Sequence, residues 1–106
     1  MCIRDRIISP TILKLKKKGV NLTGPLVSDT IFIENYKKFD VVIGMYHDQV
    51  LAPFKTLYKF DAINITLGLP FIRISPDHGP NYNMIGKNKS NPQSLINAIK
   101  FLNNKK

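Results

Sequence analysis

The run Asp40-Val41-Val42-Ile43-Gly44 leads directly into Met45-Tyr46-His47-Asp48-Gln49, and this junction constrains the chain most. A short apolar run of this kind reads as a buried parallel strand. In open α/β sheets, ligands bind just beyond the carboxyl ends of strands. His47 and Asp48 stand at such an end. A neutral imidazole is a common metal ligand, and a neighbouring carboxylate can ligate or orient it. The plainer alternative is that His47 merely caps the following helix.

The rest of the chain supports an α/β class. Ser9-Pro10 and the following Thr11 to Lys18 predict a helix with a basic end, and Gly19 fits its C′ position. Val20-Asn21-Leu22 reads as a short strand. Thr23-Gly24-Pro25-Leu26 reads as a loop. Ser28 or Asp29 is expected to cap a short helix around Thr30-Ile31-Phe32. Gln49 to Leu57 reads as a helix with Pro53 near its first turns. Ala62 to Leu67 and Phe71 to Ser75 alternate apolar and polar residues, as half-buried strands do. That alternation sets Asn64 and Arg73 on faces opposite their apolar neighbours. Pro76 to Lys89 is rich in loop formers. Asn91-Pro92 is a cap pair for a final amphipathic helix, whose apolar residues are Leu95, Ile96, Ala98, Ile99 and Leu102.

Composition narrows the function classes. An apolar content of 43% is enough for a core. No apolar stretch reaches the roughly 20 residues that span a bilayer, so no membrane partner is expected. Met1 to Arg6 lacks the apolar segment and cleavage site of a secretory signal. The single cysteine, Cys2, cannot form an internal disulfide, which fits a cytoplasmic protein. The net charge of +9 invites a nucleic-acid reading. Against it, the lysines are dispersed apart from Lys14, Lys16, Lys17 and Lys18, and no nucleic-acid-binding motif is present. No nucleic-acid partner is expected.

Arginine usage says more than net charge. Of three arginines, two fall in the first six residues, and the third is Arg73 within Phe71-Ile72-Arg73-Ile74-Ser75. A guanidinium grips carboxylate or phosphate with a planar fork that lysine cannot copy. A structural ion pair with an aspartate is the alternative. Lys55 lies eight residues after His47, so both face one ligand only if the chain bends near Pro53. Lys55, Asn64 and Arg73 together suit an anionic substrate such as a phosphate ester. His47 with Asp48 suits a divalent metal, yet one histidine is an incomplete site, since zinc takes at least three protein ligands. Asp77-His78-Gly79 reads as a turn in which Asp77 has a loop role. The absence of a G-x-G-x-x-G fingerprint and the small sheet suggest part of a larger domain.

Several motifs agree in order and spacing with one family. Gly24-Pro25-Leu26, Asp29-Thr30, Met45 to Gln49, Asn64 to Arg73 and Asp77-His78-Gly79 closely resemble the C-terminal part of 4-hydroxythreonine-4-phosphate dehydrogenases. The likeness runs from about Ser9 to the end. It implies residues 9–106 as the C-terminal part of a catalytic domain, with residues 1–8 as an unrelated or non-native segment. It also implies a three-layer α/β/α fold like that of isocitrate and isopropylmalate dehydrogenases, incomplete here.

The resemblance further implies NAD-dependent oxidation of 4-phosphooxy-L-threonine, with decarboxylation to 3-amino-2-oxopropyl phosphate, on the route to pyridoxal 5′-phosphate. A related dehydrogenase acting on 4-phospho-threonate or 4-phospho-erythronate is the alternative. The family is a homodimer whose active site lies at the interface and holds a divalent metal: zinc, magnesium, manganese or cobalt. His47 then matches one metal ligand, and Lys55, Asn64 and Arg73 match the substrate-binding residues. Asp48 is the catalytic candidate, acting from behind the metal ligand. No residue is assigned to NAD. The chain departs from the family at Pro80-Asn81, where Thr-Ala is usual, and at Asn83, where an acidic residue often stands nearby. The other metal histidines have no counterpart here, so the isolated chain is expected to be inactive.

Overall fold

The computed structural model describes residues 2–104. Its contacts fall into two units, up to Gly44 and from Met45 onward. The secondary structure is mixed helix and strand.

In the first unit, a wide π-type turn over Arg4–Ile8 runs straight into helix α1, Ser9–Lys17. The Ser9 N–H reaches back to the Arg4 carbonyl. This widening precedes Pro10, whose ring crowds the carbonyl four residues earlier and which has no N–H to donate. Thr11 Oγ1 donates to the Ile7 carbonyl at 2.6 Å. The helix ends as its sequence predicts. Gly19 N–H donates to the Lys16 carbonyl at 2.9 Å, and Val20 N–H to the Leu15 carbonyl at 3.2 Å. This pair of bonds is a Schellman closure, and Gly19 supplies the left-handed residue with φ +84°. Lys14, Lys16 and Lys17 in the last turn complement the negative end of the helix dipole.

A Cβ at Gly19 would meet nothing within 4 Å, so only backbone strain opposes a side chain there. Gly19→Ala is expected to cost about 1 kcal/mol, read as a lowered denaturation midpoint. A midpoint equal to that of the wild type would contradict this account.

Three sequence expectations fail in this unit. Helix α2 covers Ser28–Thr30, but neither Ser28 nor Asp29 caps it; the cap position is Val27, with no side-chain cap bond. The chain then winds through a π-type turn at Ile31–Asn35 and a 3-10 turn at Tyr36–Lys38. Val20-Asn21-Leu22 forms no strand. Nor does the run at Val41 to Gly44. Its side chains still alternate: Val41 and Ile43 are 73% and 67% exposed, while Val42 is half-buried. A strand requires a neighbour for its N–H and C=O groups. Among the described residues, only two strands pair, and they pair with each other.

The second unit holds α3 (His47–Tyr58), β1 (Ile63–Thr66), β2 (Arg73–Pro76), a 3-10 turn at Tyr82–Met84 and α4 (Gln93–Asn103). The strands are antiparallel, in contrast to the parallel strand expected at Val41. Their register pairs Ile63 with Pro76, Asn64 with Ser75, Ile65 with Ile74 and Thr66 with Arg73. One face therefore carries Ile63, Ile65 and Ile74. The other carries Asn64, Thr66, Arg73 and Ser75.

Helix α4 packs on both strands. Asn91 Oδ1 accepts from the Gln93 N–H at 2.9 Å, an Asx turn that leads the chain into α4, but the cap position expected at Asn91 is occupied by Pro92, with no side-chain cap bond. The buried face differs from expectation. Ser94 and Ala98 are buried, whereas Leu95, Ile96, Ile99 and Leu102 are exposed. A polar clasp explains this orientation. Ser94 Oγ donates to the Ala62 carbonyl, and Asn97 Nδ2 donates to the Asp61 carbonyl at 3.0 Å.

Candidate functional site

Helix α3 begins at the His47 motif. Tyr46, with extended backbone, occupies the cap position, and the Met45 N–H donates to Gln49 Oε1 at 2.7 Å. Gln49 thus folds back over the helix start, as a glutamine at the third helical position can. Asp48 lies in the first turn, where the helix dipole favours a carboxylate.

His47 Nδ1 lies 2.7 Å from Asp48 Oδ1. A carboxylate only accepts, so Nδ1 carries a proton, and in the neutral ring Nε2 keeps its lone pair. The His47 side chain is 77% exposed. This arrangement suits a single outward ligand atom. Among the described residues, no three His, Cys, Asp or Glu side chains gather into a metal centre. A divalent metal needs more protein ligands than one imidazole, so these residues do not fit the ion by themselves.

Lys55 does not join His47. Helix α3 runs from His47 to Tyr58 through Pro53 without a break. Eight helical residues separate the two by about 12 Å along the axis. Lys55 turns to Asp77 instead, with Nζ 3.0 Å from Asp77 Oδ2. The Asp77 side chain is only 16% exposed. The Asp77 N–H donates to Ser94 Oγ at 2.8 Å. Ser94 passes the chain of bonds on to Ala62 at the start of β1. One buried hydroxyl thereby ties together the end of β2, the entry to β1 and α4.

The hairpin does bring Asn64 and Arg73 to one face. Asn64 faces Ser75, and Arg73 faces Thr66, whose Oγ1 accepts from Arg73 Nη1 at 2.8 Å. Arg73 is exposed at the first position of β2. Its partner is thus the neighbouring threonine, and the aspartate pairing considered from sequence belongs to Lys55. The open face offers a guanidinium fork and a carboxamide to an anion.

Asp29 is exposed in the first unit, and His78 is exposed beyond Asp77. Sequence reasoning missed Ser94 and the Lys55–Asp77 pair. For Asp77 a signal existed: Arg73, Ser75 and Asp77 continue one alternation. For Ser94 there was none, because helical periodicity points to its apolar neighbours.

The sequence matches the family model described as pyridoxal phosphate biosynthetic protein PdxA over residues 4–102. A 4-hydroxythreonine-4-phosphate dehydrogenase of Sulfurihydrogenibium sp. is 51% identical over 92% of this chain and 30% of its own length. One of Xanthobacter autotrophicus is 47% identical over 92% of this chain and 28% of its own length. A solved structure from Salmonella typhimurium, described as a candidate 4-hydroxythreonine-4-phosphate dehydrogenase, is similar with a TM-score of 0.73 and 39% identity. That match covers 95% of this chain and 31% of the other. The chain spans about three tenths of the length of these relatives. The match spans the His47 motif, the hairpin and nearly all of α4, and the chain belongs to the PdxA family of pyridoxal phosphate biosynthetic proteins.

Proposed function

We propose that the full-length protein carrying these residues is an NAD-dependent 4-hydroxythreonine-4-phosphate dehydrogenase. It oxidises 4-phosphooxy-L-threonine to 2-amino-3-oxo-4-phosphooxybutanoate, which loses CO2 to give 3-amino-2-oxopropyl phosphate on the way to pyridoxal 5′-phosphate. The observation that carries this reading is the polar hairpin face. Asn64 and Arg73 share it, in a chain about half identical to proteins of that name.

The residues divide the work by chemistry. The Arg73 fork and the Lys55 ammonium hold anionic groups of the substrate, and Asn64 sets its orientation by hydrogen bonds. His47 offers Nε2 as one ligand of a divalent metal (zinc, magnesium, manganese or cobalt), with Asp48 fixing the ring as the catalytic carboxylate behind it. NAD, when bound, would supply the hydride acceptor. The enzyme works in the cytoplasm as a homodimer, with the site at the subunit interface and an α/β/α fold related to isocitrate and isopropylmalate dehydrogenases.

The test is NADH formation by the full-length protein with three substrates: 4-phosphooxy-L-threonine, 4-phospho-threonate and 4-phospho-erythronate. The expected kcat/KM is at least about tenfold higher for the amino acid, because an unmatched polar group in a pocket is costly. The chain of 106 residues alone is expected to give no turnover. Preference for either sugar acid would reassign the substrate. No oxidation of any of the three would remove the reading.

A further inference from the structure

We propose that Asp77 is a positioning residue, holding the Lys55 ammonium where it meets the anionic group of the substrate. This rests on the reading of Lys55 as a substrate contact. The lysine stem is flexible, and nothing within α3 dictates where its charge sits. Asp77 supplies that constraint through the 3.0 Å ion pair. The pair is partly sheltered, at 34% exposure for Lys55 and 16% for Asp77, so salt screens it less than a surface pair.

Asp77 is itself anchored. Its N–H is held by Ser94 Oγ at 2.8 Å, and Ser94 is 1% exposed and bonded to Ala62. The carboxylate is therefore set by the junction of β1, β2 and α4, and Lys55 is set by the carboxylate. An ammonium has three donors. Asp77 engages one, which leaves two for a phosphate or carboxylate oxygen. The pair also links α3 to the residue immediately after β2, two positions beyond Ser75.

The experiment is a double-mutant cycle in the full-length protein with Asp77→Asn and Lys55→Ala, read by steady-state kinetics on 4-phosphooxy-L-threonine and by acetylation of individual lysines. Asp77→Asn is expected to raise KM about tenfold with kcat changed less than about twofold, the pattern of lost binding. Asp77→Glu should recover most of the loss. In the Lys55→Ala background, Asp77→Asn should add less than about twofold, since the residues act as a unit. Lys55 acetylation should quicken in Asp77→Asn while other lysines keep their rates.

An equal cost of Asp77→Asn in both backgrounds would overturn the proposal. So would a fall in KM, which would make Asp77 a competitor of the substrate. An effect of Asp77→Asn with unchanged Lys55 acetylation would overturn it too. If Lys55→Ala leaves KM unaltered, the substrate reading of Lys55 fails and the positioning role falls with it. The acetylation rates then report separately whether the ion pair holds the side chain.

Discussion

Arg73→Ala in the full-length protein is expected to lower kcat/KM for 4-phosphooxy-L-threonine about a hundredfold. A charge-assisted hydrogen bond contributes about 1.5–3 kcal/mol, and a bidentate guanidinium makes two. Each 1.4 kcal/mol is about tenfold. Arg73→Lys keeps the charge but not the fork, so it should recover only part of the loss. The fold should tolerate both changes. Arg73 is exposed, and its bond to Thr66 links two side chains on an open face. Surface changes of this kind are usually worth within about 0.5 kcal/mol of stability. Steady-state kinetics beside a denaturation curve separates the two effects. A variant that keeps wild-type kcat/KM would remove Arg73 from the site.

Ser94→Ala acts on the scaffold. The hydroxyl is buried, donates to the Ala62 carbonyl and accepts from the Asp77 N–H. Alanine fits the space but leaves that donor and that acceptor without partners. An unsatisfied buried group costs about 1–3 kcal/mol, so a loss of about 2–4 kcal/mol is expected for the two together, allowing for some relaxation. Urea denaturation of the full-length protein should show a lower midpoint with an unchanged slope, since the surface exposed on unfolding stays the same. A midpoint equal to that of the wild type would mean that the clasp between α4 and the hairpin is held by other contacts.

The two substitutions separate roles that lie close together in the chain. Arg73 is exposed on the hairpin and, in the function proposed above, serves the ligand. Ser94 is buried and bonds the backbone at the entry to β1 and just past β2, which ties the strands to α4. Asp77 belongs to both, with its backbone on Ser94 and its carboxylate on Lys55.

Local chemistry alone determined the helices and the hairpin. The Schellman closure at Gly19, the start of α3 at His47 and the Asn91 turn that leads into α4 each rest on bonds spanning a few residues. The alternation through Asn64 and Arg73 set both on the polar side of the hairpin, because a short connection leaves antiparallel neighbours few other registers. Tertiary structure decided the rest. Val41 to Gly44 has the composition of a buried strand, yet a strand's identity depends on a distant neighbour that periodicity does not supply. Nor does the chain, at three tenths of its relatives' length, bring one among its described residues. The face of α4 was decided by Ser94 and Asn97 finding carbonyls at the entry to β1, against the pull of its leucines and isoleucines. Lys55 found Asp77 across 22 positions of sequence, a pairing between α3 and the residue just past β2 that no local pattern supplies.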